Sequence, residues 1–240
     1  MDSMERETNT FSEEGRIRQV EYAIKSISSA GPVIGLRCAD GVVLIGKSTD
    51  DSVSLTQDEK IYAINRKTVG IVGGLYADSN LLVNYLRAVA QDYLMKFDTE
   101  MTPHQIGRSL SKIKQKFTQG GGMRPFGVSF LLGGYERGAY RLYSTDPSGT
   151  LSEYNAHTFG DGDKLIFPVL DEHSCEHSIE EGIKLAFRGI SAVSEGTAIL
   201  PHTISCAVIC RINEEQVVRH LTQVEITEYL KHAKPKTSTE

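Results

Sequence analysis

The chain has 240 residues, 40% apolar and 24% charged, which excludes wholesale disorder. Its 26 Lys and Arg stand against 31 Asp and Glu, so the net charge of −5 has the wrong sign for a nucleic-acid partner. No apolar run approaches the ~18 residues that suggest a membrane span, so no membrane partner is expected either.

After a polar lead-in ending at Gly15, Val20, Ala23, Ile24 and Ile27 share one face of a short N-terminal helix. Strands are predicted over 33–39 and 41–47, with Asp40-Gly41 as the turn signal, and over 61–65 and 68–73 about Arg66-Lys67. The period then changes. Leu81, Leu82, Tyr85, Leu86, Val89, Ala90, Tyr93, Leu94 and Phe97 recur at helical spacing.

A second long helix starts at the capping box of Thr102 and Gln105, with Pro103 in its first turn. Ile106, Leu110, Ile113 and Phe117 face inward, and Gly120-Gly121-Gly122 stops it. Strands return at 127–134 and 140–145, closed by the turn Asp146-Pro147-Ser148-Gly149. A box of Ser178 and Glu181 opens another helix, strands follow at 204–212 and 217–220, and Thr222 with Glu225 caps a last helix. Grouped strands separated by paired helices predict an α+β layered fold with antiparallel sheets, in one domain.

Chemistry-bearing motifs are scarce. There is no G-x-S-x-G elbow, phosphate-binding G-x-x-x-x-G-K-[ST] loop or H-E-x-x-H pair. Gly160-Asp161-Gly162-Asp163 lacks the closing Glu of a calcium loop and reads as a strand-to-helix turn. Cys206 and Cys210 fall on one face of a strand and read as small hydrophobes. His173, Cys175 and His177 form a single cluster without the paired spacing of a zinc site. No metal, cofactor or disulfide framework is expected. The Met1 end has no apolar segment behind it, so a signal peptide is not expected and an intracellular chain is.

Phe11-Ser12-Glu13-Glu14-Gly15-Arg16-Ile17-Arg18-Gln19-Val20-Glu21-Tyr22-Ala23 resembles the N-terminal signature of proteasome alpha subunits, Phe-Ser-Pro-x-Gly-Arg-x-x-Gln-Val-Glu-Tyr-Ala. Asp40-Gly41-Val42-Val43-Leu44, Glu59-Lys60-Ile61-Tyr62, Gly74-Leu75 and Arg124-Pro125-Phe126-Gly127-Val128-Ser129 agree in order along nearly the whole chain. Ala30-Gly31-Pro32 and Arg219-His220-Leu221-Thr222-Gln223-Val224-Glu225 look most like the alpha-2 type.

The resemblance implies the N-terminal-nucleophile hydrolase fold, a four-layer αββα sandwich of two antiparallel sheets with an extra N-terminal helix. It implies a gate tail over 1–15, one domain over 16–233 and a short polar tail over 234–240. The partners implied are other alpha subunits in a seven-membered ring, beta-ring subunits, and the C-terminal tails of activators or the regulatory particle. The setting implied is ubiquitin-dependent protein degradation in cytoplasm and nucleus.

The same resemblance implies that the chain is not catalytic. The position of the family's nucleophilic Thr falls on Gly31, that of its supporting Asp on Lys47 and of the neighbouring Arg on Thr49. Only Lys60 survives. It is instead expected to receive an activator's terminal carboxylate, helped by the Gly74-Leu75 backbone and Ile17; the plain alternative is a solvated surface lysine. At the gate, Met4-Glu5-Arg6 stands where many alpha subunits have Tyr-Asp-Arg, and Glu13 replaces the signature Pro, while Tyr22 is retained. The rival reading, a self-contained N-terminal-nucleophile amidohydrolase, needs a processed Thr, Ser or Cys, and Ala30-Gly31-Pro32-Val33 offers none.

Overall fold

The computed structural model describes residues 9–48, 59–194 and 199–233. The first half runs α1 (Arg18–Ile27), β1 (Val33–Arg37), β2 (Gly41–Lys47), β3 (Ile61–Asn65), β4 (Thr68–Gly74), α2 (Tyr76–Phe97) and α3 (Pro103–Gln119). Then come β5 (Val128–Glu136), β6 (Ala139–Thr145), β7 (Leu151–Glu153), β8 (Ala156–Phe159), α4 (Asp163–Leu170) and α5 (Ile179–Val193). A 3-10 turn at Pro201–Thr203 leads to β9 (Ile204–Ile212), β10 (Glu215–His220) and α6 (Gln223–His232).

The strands form two five-stranded antiparallel sheets, ordered β10-β9-β2-β1-β8 and β3-β4-β5-β6-β7. Alternation along each strand sends side chains to opposite faces, and this builds three apolar cores. In β2, Val42 and Leu44 point between the sheets, where they meet Val69, Ile71, Leu131 and Leu142. Val43 and Ile45 point the other way, against Ile183, Phe187 and Ile190 of α5. On the far side, Leu82 and Leu86 of α2 and Ile106 and Leu110 of α3 cover Val72, Phe130 and Leu132. The layers are therefore helix, sheet, sheet, helix, with α1 added to β4 and β5.

Local chemistry sets the boundaries. All three predicted capping boxes form: each hydroxyl accepts from the N3 backbone, and each N3 side chain accepts from the cap's own N–H. The Gly160–Asp163 turn does connect β8 to α4, with Gly162 left-handed at φ 72°.

Other expectations need correction. Ile24 is 43% exposed, so α1 buries only Ala23 and Ile27. Gly41 is not needed for turn conformation, since its φ is not positive. It is needed for room, because a Cβ there would overlap the Ile209 carbonyl oxygen and press on Ile179. Asp40 beside it accepts the Ile179 N–H at 2.8 Å and so helps start α5. Cys206 is a buried hydrophobe as expected, whereas Cys210 is only half-buried.

Candidate functional site at the opening of the first strand

Pro32 continues the β1–β2 ladder by accepting the Lys47 N–H at 2.9 Å, which brings Gly31 against the end of β2. A Cβ on Gly31 would overlap the Lys47 carbonyl oxygen and lie 3.4 Å from the Lys60 Nζ. On the other flank, Asp161 N–H donates to the Ala30 carbonyl at 2.7 Å. Gly31, the position the resemblance assigns to the family's nucleophile, is thus packed with backbone. Nor is there a free amine here to act as base, because the nitrogen of Gly31 is an amide within the chain. Upstream, Ala30 N–H bonds to Ile27 O at 2.9 Å, and the Ile27 side chain plugs the core between the sheets.

Lys60 lies beside Gly31. Its Nζ donates to the Gly31 carbonyl at 3.3 Å, and the residue is 9% exposed. Within this chain it is a cleft residue rather than a solvated one. Its stem crosses the gap between the sheets, with Cδ 3.2 Å from where a Cβ on Gly46 would be. Its carbonyl accepts Val72 N–H at 3.0 Å, two residues short of Gly74.

Gly74 and Leu75 sit at the junction of β4 and α2. Gly74 has φ 126°, and a Cβ there would overlap the Gly127 carbonyl oxygen, so only glycine fits. Leu75 N–H is spent on Gly127 O at 2.9 Å, while its side chain is 47% exposed.

This corner is held by residues that the sequence reading passed over. Asp78, buried in the first turn of α2, accepts both guanidinium nitrogens of Arg124 at 2.7 and 2.8 Å and the Gly127 N–H at 2.9 Å. Burial pushes the Asp78 carboxyl up, but the bonds from Arg124 and Gly127 outweigh it and hold the group below its ordinary value of 3.8. The position at an α-helix N-terminus favours the anion as well.

Behind it, fully buried Lys114 of α3 donates to Val128 O at 2.9 Å and to Thr145 Oγ1 at 2.9 Å and O at 3.3 Å. Burial pushes its ammonium down to about 7. The run Arg124 to Ser129 therefore fastens α2, α3 and β5 together. The ring of its Phe126 packs against that of Phe117, tilted by 40° with centroids 4.4 Å apart.

The remaining site residues lie elsewhere. Ile17 lines a groove of about 480 Å³ with Phe11, Val20, Gln115 and Thr118, and none of Lys60, Gly74 and Leu75 lines it. Glu13 is exposed in a turn closed by Gly15 N–H to Ser12 O at 2.9 Å, with Gly15 left-handed at φ 74°. Tyr22 is 51% exposed on α1. Met4, Glu5, Arg6 and Thr49 lie outside the described residues.

Two five-stranded antiparallel sheets between helical layers, with an added N-terminal helix, fit the N-terminal-nucleophile architecture that the resemblance implies. Comparison with known proteins makes this specific. A family model described as "Proteasome subunit" matches residues 27–209, and a second, for the N-terminal signature of A-type proteasome subunits, matches residues 4–25.

The alpha type-3 proteasome subunit of Saccharomyces cerevisiae is 38% identical over 84% of this chain and 80% of its own length. The alpha type-4 proteasome subunit of Spinacia oleracea is 36% identical over 84% and 83%. The proteasome alpha subunit of Methanocaldococcus jannaschii is 35% identical over 85% and 79%. The chain belongs to the proteasome subunit family and is of its alpha type, the non-catalytic ring member of the protease complex. The alpha-2 subtype expected from Ala30-Gly31-Pro32 and residues 219–225 is not supported by the yeast and spinach relatives, which are of types 3 and 4.

Proposed function

We propose that this chain fills one seat of a seven-membered alpha ring above a beta ring, where it takes part in gating substrate access and receives activator tails. The observation that carries the docking half is the junction of β4 and α2. There Gly74 and Leu75 are held rigidly by Gly127 and Asp78 yet reach the surface, two residues beyond the strand position paired with Lys60.

In this reading the Lys60 ammonium exchanges the neutral Gly31 carbonyl for the terminal carboxylate of a tail. An ammonium–carboxylate ion pair replaces an ammonium–carbonyl bond, and the opposite charge of the new acceptor favours the exchange. Lys60→Ala should then weaken binding of an activator's C-terminal peptide to assembled particles by about 2–5 kcal/mol where the pair is desolvated, without loss of assembly. Unchanged peptide affinity would leave Lys60 as a residue that only braces Gly31.

Residues 1–15 act in this reading as the gate tail, 16–233 as the ring domain and 234–240 as a short polar C-terminal tail. Cytoplasm and nucleus are the compartments it implies, and fractionation of tagged particles tests them. The subtype follows from the seat, and cross-linking of neighbours in the assembled ring tests whether that seat is the alpha-2 one.

A further inference from the structure

A cleft of about 520 Å³ opens at the β1–β2 turn, lined among others by Arg37, Cys38, Asp40, Tyr140, Cys175 and Arg211. Two of the four free thiols border it. Cys38 directly follows β1, and Cys175 sits on the loop between α4 and α5.

The two segments are stitched on both sides of these residues. The carbonyl of Arg37, just before Cys38, lies 2.8 Å from Nε2 of His173, two residues before Cys175. The N–H of Ala39, just after Cys38, donates to the carbonyl of His177, two residues after Cys175, at 3.0 Å. This lacing holds the two cysteine-bearing segments together at the cleft that both residues line. Burial pushes the Cys38 thiol up to about 12, and Asp40 and Cys175 add to the rise, so its sulfur can attack only as its proton leaves rather than as a standing thiolate. The other two thiols cannot pair with each other. Cys206 and Cys210 are four residues apart along β9, roughly 13 Å in an extended strand, beyond the reach of a disulfide.

We propose that Cys38 and Cys175 are a peroxide-responsive thiol pair whose disulfide fastens the α4–α5 loop to the β1–β2 turn. Cys175 is half-buried and Cys38 only 3% exposed, so Cys175 meets the oxidant first. Its thiolate attacks one peroxide oxygen and the O–O bond breaks. The displaced hydroxide takes up the thiol proton as water, and Cys175 is left as a sulfenic acid. The Cys38 sulfur then attacks the Cys175 sulfur. An S–S bond forms, the S–O bond breaks, and the hydroxyl leaves with the Cys38 proton as a second water. Two thiols are oxidised and one hydrogen peroxide is reduced to two waters.

The test treats assembled particles with hydrogen peroxide, blocks the remaining thiols by alkylation, and maps peptides without reductant. A peptide pair joined through Cys38 and Cys175 and separated by reductant is the expected result. In Cys38→Ser particles, Cys175 should stop at the sulfenic acid and be captured by dimedone. If that buried substitution prevents assembly, Cys175→Ser on the loop serves instead, and Cys38 should stay reduced in it. Wild-type particles whose two cysteines remain separately alkylated would overturn the pairing. So would wild-type Cys175 oxidised beyond the sulfenic acid while Cys38 stays a thiol. Oxidation of Cys38 in Cys175→Ser particles would overturn the order of attack.

Discussion

Two corners of the sandwich lie within a few residues of each other along β3 and β4 and are built on opposite principles. At the head of β1, Gly31 is surrounded by backbone: Lys47 on one flank, Ala30 bonded to Asp161 on the other, and one lysine donor at 3.3 Å. At the start of α2, a buried carboxylate is satisfied three times over, by Arg124 twice and Gly127 once. The first corner is closed by removing side chains. The second is kept open and rigid by adding them. A chain of this architecture that does not cleave peptides has no use for a reactive corner, but a ring member needs a surface of fixed shape.

The sharpest way to break the contrast is Gly31→Thr, which places a hydroxyl where the resemblance puts the family's nucleophile. Its Cβ would overlap the Lys47 carbonyl, and backbone cannot yield as a side chain can. Overpacking of this kind should cost about 3 kcal/mol, read as a lower melting temperature of the ring or a loss of assembly. No peptide hydrolysis at this position should appear. The amine would still be an amide, and the position the resemblance assigns to the family's Asp would still be Lys47.

The second corner fails differently. Arg124→Ala leaves the Asp78 carboxylate buried with the Gly127 N–H alone, at a cost of about 2 kcal/mol. Arg124→Lys keeps the charge but not the two-pronged geometry and should lose roughly half of that.

The sign in acid follows from the lowered Asp78 value. Such a group adds stability above its ordinary value of 3.8, and that stability is lost as pH falls through the lower folded value. Removing Arg124 raises the folded value, so the acid-unfolding midpoint should move to higher pH, followed by circular dichroism. An unmoved midpoint would mean that the Gly127 N–H and the helix N-terminus suffice.

These corners also mark what the sequence alone makes legible. Gly31 is readable because one missing side chain at a known place is a local fact. Asp78 and Arg124 are 46 residues apart and meet only through the β4–α2 and α3–β5 connections, which no periodicity encodes. Lys114 is an ordinary charged position on α3 until the fold buries it beneath Val128 and Thr145.

The long amphipathic helices and the hydrophobic strands are readable from period and capping. β7 has three residues, too few for a pattern. α4 has eight, carries Pro168 inside and starts from a left-handed glycine without a side-chain cap, so its sequence signals oppose a helix. The spacing of Ile24 fits the apolar face of α1 and points it inward. The structure spends only two residues of α1 on the core and leaves the rest outside.

The smallest effect concerns the signature turn, which sits at neither corner but feeds α1 toward the first. Ser12 O accepts Gly15 N–H at 2.9 Å, so Glu13 and Glu14 are the two central residues of a four-residue turn with Gly15 left-handed after them. Glu13 holds the first central place, where proline presets the backbone angle, and its side chain is exposed. Glu13→Pro should therefore fit without loss and stabilise the turn by about 0.4–1 kcal/mol, chiefly by restricting the unfolded chain. On the proposed reading of residues 1–15 as the gate tail, a more rigid turn would bear on gating. Met4→Tyr adds the phenol that the family-typical gate cluster carries.

The double substitution should raise basal peptide hydrolysis by assembled particles, or sharpen its increase when an activator is added, relative to wild type at equal assembly. In the proposed ring seven tails act together, so the change should be less than twofold. A gain from Glu13→Pro alone would assign the effect to the stiffened turn, and a gain that needs both substitutions would assign it to the restored aromatic partner. If both rates stay unchanged while the melting temperature rises, the turn has become more rigid and this tail takes no part in opening.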